Sequence, residues 1–147
     1  MGGLDPETEE LEAVPANRLV LALLRRSAEA ARTEYRLGVF EQHAHPDVCE
    51  RLGQAAPRGR AVGAYGLCAR AGRRGVLYAI GMGTGSIALR LPAGKVRDAV
   101  IGRGGRLEPE LGLEWVVADA WLSSLPGAEG TALLAGWVEA ARLAADA

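Results

Sequence analysis

The residue types best suited to chemistry gather in "EQHAHPDVCE", residues 41–50. Both histidines, His43 and His45, stand there with Glu41, Asp47 and Cys49. In an extended strand alternate side chains share a face, so these five would form a row of metal-ligand types. Pro46 interrupts that row. It breaks an extended run before Asp47, and "PDVCERLG" reads as a helix with Pro46 in its first turn and Gly53 just past its end. A structural zinc needs four ligands and a catalytic one usually three plus water. The remaining candidates are Cys68 and scattered acids, with no HExxH or CxxC pattern. The sequence therefore predicts no bound metal, and imidazoles that cap or hydrogen-bond near a helix start.

"GMGTGS", residues 81–86, has the look of a phosphate-cradling glycine loop. Such loops open a helix, and the P-loop adds Gly-Lys-Ser/Thr. Here the strand-like "SIALRLP" follows, so a glycine-rich hairpin is expected, with Thr84 and Ser86 offering hydroxyls to anything that approaches closely. No nucleophile elbow, Ser-His-Asp spacing or kinase signature occurs. His43 and Cys49 stand six residues apart with nothing to enforce contact. The reading is a non-enzymatic protein without a cofactor.

Charge is sorted along the chain although the net charge is only −1. Residues 1–14 carry five acids and no base, and residues 107–147 carry seven acids against Arg142 alone. Between Arg51 and Arg106 stand eleven bases against one acid, Asp98. Sixteen of the seventeen bases are arginine, a bias that fits a GC-rich genome; the segregation does not follow from base composition. Arg58 and Arg60 precede one expected hairpin, and Arg70, Arg73 and Arg74 sit on or beside its turn. With Thr84 and Ser86 they form the candidate anion-binding set. Interleaved aromatics are few (Tyr65 and Tyr78), which disfavours base stacking on single strands.

The 147 residues suit one domain, and 49% hydrophobic with 24% charged residues indicates a globular chain. Apolar runs are too short to span a bilayer, and the acidic start lacks a signal-peptide pattern, so a cytoplasmic protein is expected. Pro6 stands where N-myristoylation needs Ser or Thr. Cys49 and Cys68 do not make a disulfide framework and are expected as reduced, half-buried thiols.

Asp5-Pro6-Glu7 signals a helix start, giving a short acidic helix or arm over 6–13 within residues 1–14. One domain is expected over 15–147. Asn17 is placed as the cap of a helix over 17–32, with Leu19, Leu23, Val20 and Leu24 inward and Arg18, Arg25, Arg26 and Glu29 outward. "TEYRLGVFEQHA" alternates as a strand, and "QAAPRGRAVG" reads as a loop. "AVGAYGLCAR", "GVLYAI" and "SIALRLP" read as a three-stranded meander. "GKVRDAVIG" is a short helix. "LEWVVADAW" is a late strand with Trp115 and Val117 on one face. The closing helix turns Leu133, Leu134, Trp137, Val138 and Ala141 inward. The fold class is α+β, an antiparallel sheet with N- and C-terminal helices packed on it.

This α-β3-α-β-α order, together with "GSIALRLP", "LGLEWVVADAW" and a closing helix after "SSLPG", resembles the small bacterial YjbR and TfoX N-terminal group over residues 17–145. Trp115 takes the place of that group's late-strand tryptophan, and "LGLE" stands where an Asn-Lys lead-in is common. The resemblance implies a secretion-chaperone-like fold, no catalysis, no cofactor and a suspected nucleic-acid role. The expected function is binding of an anionic partner, nucleic acid being its most specific form, through the arginine loop and hairpin. The alternative is a homodimeric interaction or chaperone-like domain in which acidic ends meet the basic middle of a second copy.

Overall fold

Pro6 opens α1 (Pro6–Glu12), where a missing N–H costs nothing and Glu7 and Glu9 suit the helix dipole. The computed structural model describes residues 6–33, 45–64, 67–122, 125 and 127–147. The strand expected over "TEYRLGVFEQHA" lies outside the described residues apart from Thr33, and with it Glu41 and His43. A 3-10 turn, Pro15–Asn17, leads into α2 (Arg18–Thr33). Asn17 does more than precede this helix. Its fully buried carboxamide donates to the Leu11 and Gly75 carbonyls and accepts from Leu77 N–H, each at 2.9 Å. The expected cap is instead a latch between the helical arm and the sheet.

The buried arc of α2 is Val20, Leu21, Leu23 and Leu24, while Leu19 is 66% exposed. At ~100° per residue Leu19 falls roughly 140° from Leu24, off the face that Val20 and Leu21 define. His45 begins α3 (Pro46–Ala55) as its N-cap, its Nδ1 accepting from Asp47 N–H at 3.1 Å. Gly53 is inside this helix rather than past its end. A Cβ there would lie 3.3 Å from the Arg70 guanidinium, so the absent side chain lets α3 approach the sheet.

The run "AVGAYGLCAR" is two strands. β1 (Arg60–Ala64) pairs with β2 (Leu67–Ala71), Ala64 opposite Leu67, and the expected loop 54–63 thus gives its start to α3 and its end to β1. The meander continues through β3 (Leu77–Met82) and β4 (Ser86–Arg90). After α4 (Lys95–Gly102) come a two-residue strand, β5 (Arg106–Leu107), and β6 (Trp115–Asp119), shorter than the expected "LEWVVADAW". α5 (Gly127–Asp146) closes the chain. The sheet is six-stranded and antiparallel in the order β1-β2-β3-β4-β6-β5, so the meander has four strands rather than three.

Each face of the sheet carries its own core. Leu11 and the α2 residues pack with Ala69, Ala71, Leu77, Ile80, Ala88, Trp115 and Val117. On the other face Val48 and Leu52 of α3 and Leu134, Trp137, Val138 and Ala141 of α5 cover Ala79, Ile87, Leu89, Val116 and Ala118. The expected alternation of β6 is present, whereas Leu133 is only half-buried. One irregularity matters for the site. Arg70 pairs with Ala79 and Ala71 with Leu77, leaving Tyr78 as a bulge residue. Tyr78 and Ala79 therefore both face α3 and α5. Among the described residues no helix is long and apolar enough to cross a membrane.

Candidate anion-binding cleft

The antiparallel register decides which arginines meet. Arg60 is opposite Ala71, so the loop before β1 and the β2–β3 turn share one end of the sheet. α5 ends there too. Arg58, Arg60, Arg73 and Arg142 line a cleft of about 170 Å³ with Ala71, Gly72 and Asp146. Thr84 and Ser86 lie at the far end of β3, a six-residue strand, about 20 Å away at strand rise. They do not belong to the arginine site. Arg70 is half-buried beneath α3 and donates to the Ala69 carbonyl at 3.0 Å. Arg74, exposed on the turn, reaches the Ala147 main-chain oxygen at 3.4 Å.

Acids of the same chain answer the cleft arginines. Arg142 grips Glu139 with two bonds, Nε at 2.6 Å and Nη2 at 2.8 Å, and reaches Asp146 with Nη1 at 3.1 Å. This is the i,i+3 and i,i+4 geometry of one helix face. Those bonds hold the Glu139 carboxyl below its ordinary range and raise Arg142. Arg58 adds a longer contact to Glu139 at 3.4 Å while remaining 72% exposed. Asp146 accepts from Arg73 N–H at 2.8 Å, with the 85%-exposed Arg73 guanidinium 3.8 Å away. Arg60 meets Glu10 of α1 at 3.3 Å. The sorted charges thus meet within one chain, and pairing between copies is not needed to explain the sorting.

Beneath the cleft lies Tyr78. Its hydroxyl is fully buried without a hydrogen-bond partner, against Gly59, where any Cβ would collide with it. Burial raises its pKa, partly offset by Arg70 and Arg142. Glycine between Arg58 and Arg60 is therefore a steric requirement of Tyr78.

The glycine turn serves the fold. Its carbonyls of Gly83, Thr84 and Gly85 accept from His45 N–H (2.7 Å), Trp121 Nε1–H (3.0 Å) and Ala120 N–H (2.9 Å). A phosphate cradle presents N–H donors; this turn presents carbonyls already engaged. Trp121 also carries the Arg51 guanidinium 5.7 Å from its ring centre, and Arg51 bonds the Ala120 carbonyl and Thr131 Oγ1. Leu122 follows with a left-handed φ of 46°. Among the described residues no group of three or more His, Cys, Asp or Glu could hold a metal.

Sequence reasoning missed Arg142, hidden in an acidic segment; its spacing to Glu139 and Asp146 was the available signal. It also missed where unpaired charge lies. Lys95, Arg103 and Arg106, around α4 and β5, are exposed and make no ion pair among the described residues. No protein-family model, curated protein or solved structure matches the chain.

Proposed function

We propose that this chain is a non-enzymatic binding module for an anionic partner, most specifically the phosphates of nucleic acid, anchored at the Arg58–Arg60–Arg73–Arg142 cleft. The carrying observation is the convergence of four arginines from three separate segments on one cleft. Exposed ion pairs are worth about 0–1 kcal/mol each, so a ligand supplying several phosphates at once can displace Glu139, Asp146 and Glu10 from the outer arginines. Arg142, held by Glu139 and Asp146, is the most buried of the four. The resemblance to the YjbR and TfoX N-terminal group implies the same non-catalytic kind of role.

The test is titration of mixed-sequence duplex and single-stranded DNA and RNA at about 50 mM salt, repeated as salt rises. With three outer arginines on phosphates, log K should fall with log salt at a slope of roughly −2 to −3. Arg58→Ala with Arg73→Ala should weaken binding and flatten that slope. Glu139→Gln, which releases Arg58, should tighten it. No binding to any probe at the lowest salt ends this reading.

A further inference from the structure

α3 packs chiefly on β3, β4 and α5, on the face of the sheet that also carries Cys68. Gly53 lies over Arg70. One turn earlier on the helix is Cys49, and two residues earlier on the strand is Cys68. His45 N–H at the start of α3 donates to the Gly83 carbonyl past the end of β3, and Gly53 reaches the Arg70 guanidinium, so α3 runs in the direction of β2. One helical turn back (about 5.4 Å) against two strand residues back (about 6.8 Å) brings Cys49 near Cys68. The two thiols share a hydrogen bond, and neither is in a disulfide. Both are half-buried, so a small oxidant reaches them while a second protein chain is hindered.

From this placement we propose that Cys49 and Cys68 are a redox-modification site, forming a reversible intramolecular disulfide that clamps α3 to β2. The oxidant class is a peroxide. Cys49, as thiolate, attacks a peroxide oxygen; the O–O bond breaks and hydroxide leaves, taking up a proton to become water. The Cys68 sulfur then attacks the Cys49 sulfenic sulfur. Its proton and the departing hydroxyl form a second water as the S–S bond closes. Two thiols lose two electrons and one hydrogen peroxide becomes two waters. The order follows from environment: burial, then the hydrogen bond to Cys49, pushes Cys68 up to about 12, so it resolves rather than initiates. A thiol reductant reverses the bond by exchange.

The inference is independent of the anion-binding reading, since neither thiol lines the arginine cleft. The test uses the reduced full-length chain and a few equivalents of hydrogen peroxide, read by intact mass and by non-reducing peptide mapping. The expected product has lost two hydrogens, has no alkylatable thiol, joins the Cys49 and Cys68 peptides within one chain, and reverts in dithiothreitol. Its melting temperature should rise by about 10 °C, as expected for closing a loop of this length. In Cys68→Ser, Cys49 should add one oxygen and be trapped by dimedone; in Cys49→Ser, Cys68 should stay unmodified under the same exposure. Wild-type protein that only accumulates oxygen, or that links Cys49 of one chain to another chain, overturns the proposal.

Discussion

Replacing Asn17 by alanine should cost about 3 kcal/mol of stability, a large share of the roughly 5–15 kcal/mol available to a domain. The side chain is fully buried and makes three bonds of 2.9 Å to main-chain groups of α1, the β2–β3 turn and the start of β3. The Leu11 carbonyl keeps the Val14 N–H at 3.2 Å after truncation. The Gly75 carbonyl and Leu77 N–H lose the partner that Asn17 supplied. Three bonds at about 1 kcal/mol each, or two buried groups left short at about 1–3 kcal/mol each, reach the same figure. Urea unfolding followed by far-UV circular dichroism should show a lower midpoint with an unchanged slope. The melting temperature should fall by about 10 °C. Asn17→Asp sharpens the test, because it keeps the acceptor for Leu77 N–H but sets a carboxylate against two carbonyls. At neutral pH it should be no more stable than the alanine variant. A loss below about 1 kcal/mol for alanine, or wild-type stability for aspartate, refutes the latch.

Other consequences are equally direct. Tyr78→Phe should be neutral or stabilising by about 1 kcal/mol, since it removes a buried hydroxyl without a partner; Gly59→Ala should cost about 2 kcal/mol or more, and the phenylalanine background should recover much of it. Strictly additive losses in urea melts would show that the two residues do not oppose each other. Stability should fall as pH rises from about 9 toward about 12, because the folded Cys68 thiol stays protonated after the unfolded chain has ionised. Cys68→Ala should make that slope shallower, leaving the contribution of Tyr78, whose pKa burial also raises, and an unchanged slope rejects the assignment. Glu7 accepts from Gly63 N–H on the edge strand β1 at 3.2 Å and Glu10 pairs with Arg60. Glu7→Ala with Glu10→Ala should cost less than about 1 kcal/mol yet promote association in light scattering; a monomer at every concentration counts against edge protection. Thermal melts with and without EDTA should coincide, and a melt that collapses in chelator would restore the metal reading of residues 41–50.

Much of the fold was legible because periodicity carries it. The β6 alternation and the inward face of α5 could be read from apolar spacing alone. What spacing does not encode is a partner distant in sequence. Asn17 carries a good capping residue's chemistry, and only the arrival of Gly75 and Leu77 makes it a latch. Gly53 resembles a helix stop until Arg70 of the sheet explains why a glycine can sit inside α3. "AVGAYGLCAR" reads as one strand because both halves of a hairpin are apolar and its turn lacks Asn-Gly or Asp-Gly. For the candidate site, Arg58, Arg60 and Arg73 were found by charge density and Arg142 was not. Thr84 and Ser86 were joined to them only by a motif's appearance, and the antiparallel register sends them to the other end of β3.

Charge sorting therefore has a structural account before it has a functional one. Glu7 and Glu10 cover the β1 edge, while Glu139 and Asp146 face the opening between the β2–β3 turn and the loop before β1. An incoming anion does not meet bare guanidinium groups; it exchanges with carboxylates already held there. Such exchange lowers affinity and makes it sensitive to the number of phosphates presented together, since a single anion gains little over Glu139 whereas a polyanion engages Arg58, Arg60 and Arg73 at once. Added salt screens the internal pairs as well as the ligand contacts, so the salt slope should be shallower than the basic segment's excess of ten positive charges implies. Removing an internal acid instead frees its arginine at constant salt. That is why Glu139→Gln, set beside a remote exposed acid such as Glu110→Gln, is the most discriminating pair. Loss of any acid tightens an electrostatic binder somewhat, but a larger gain on loss of Glu139 is expected only if that carboxylate and the partner compete for the same guanidinium groups.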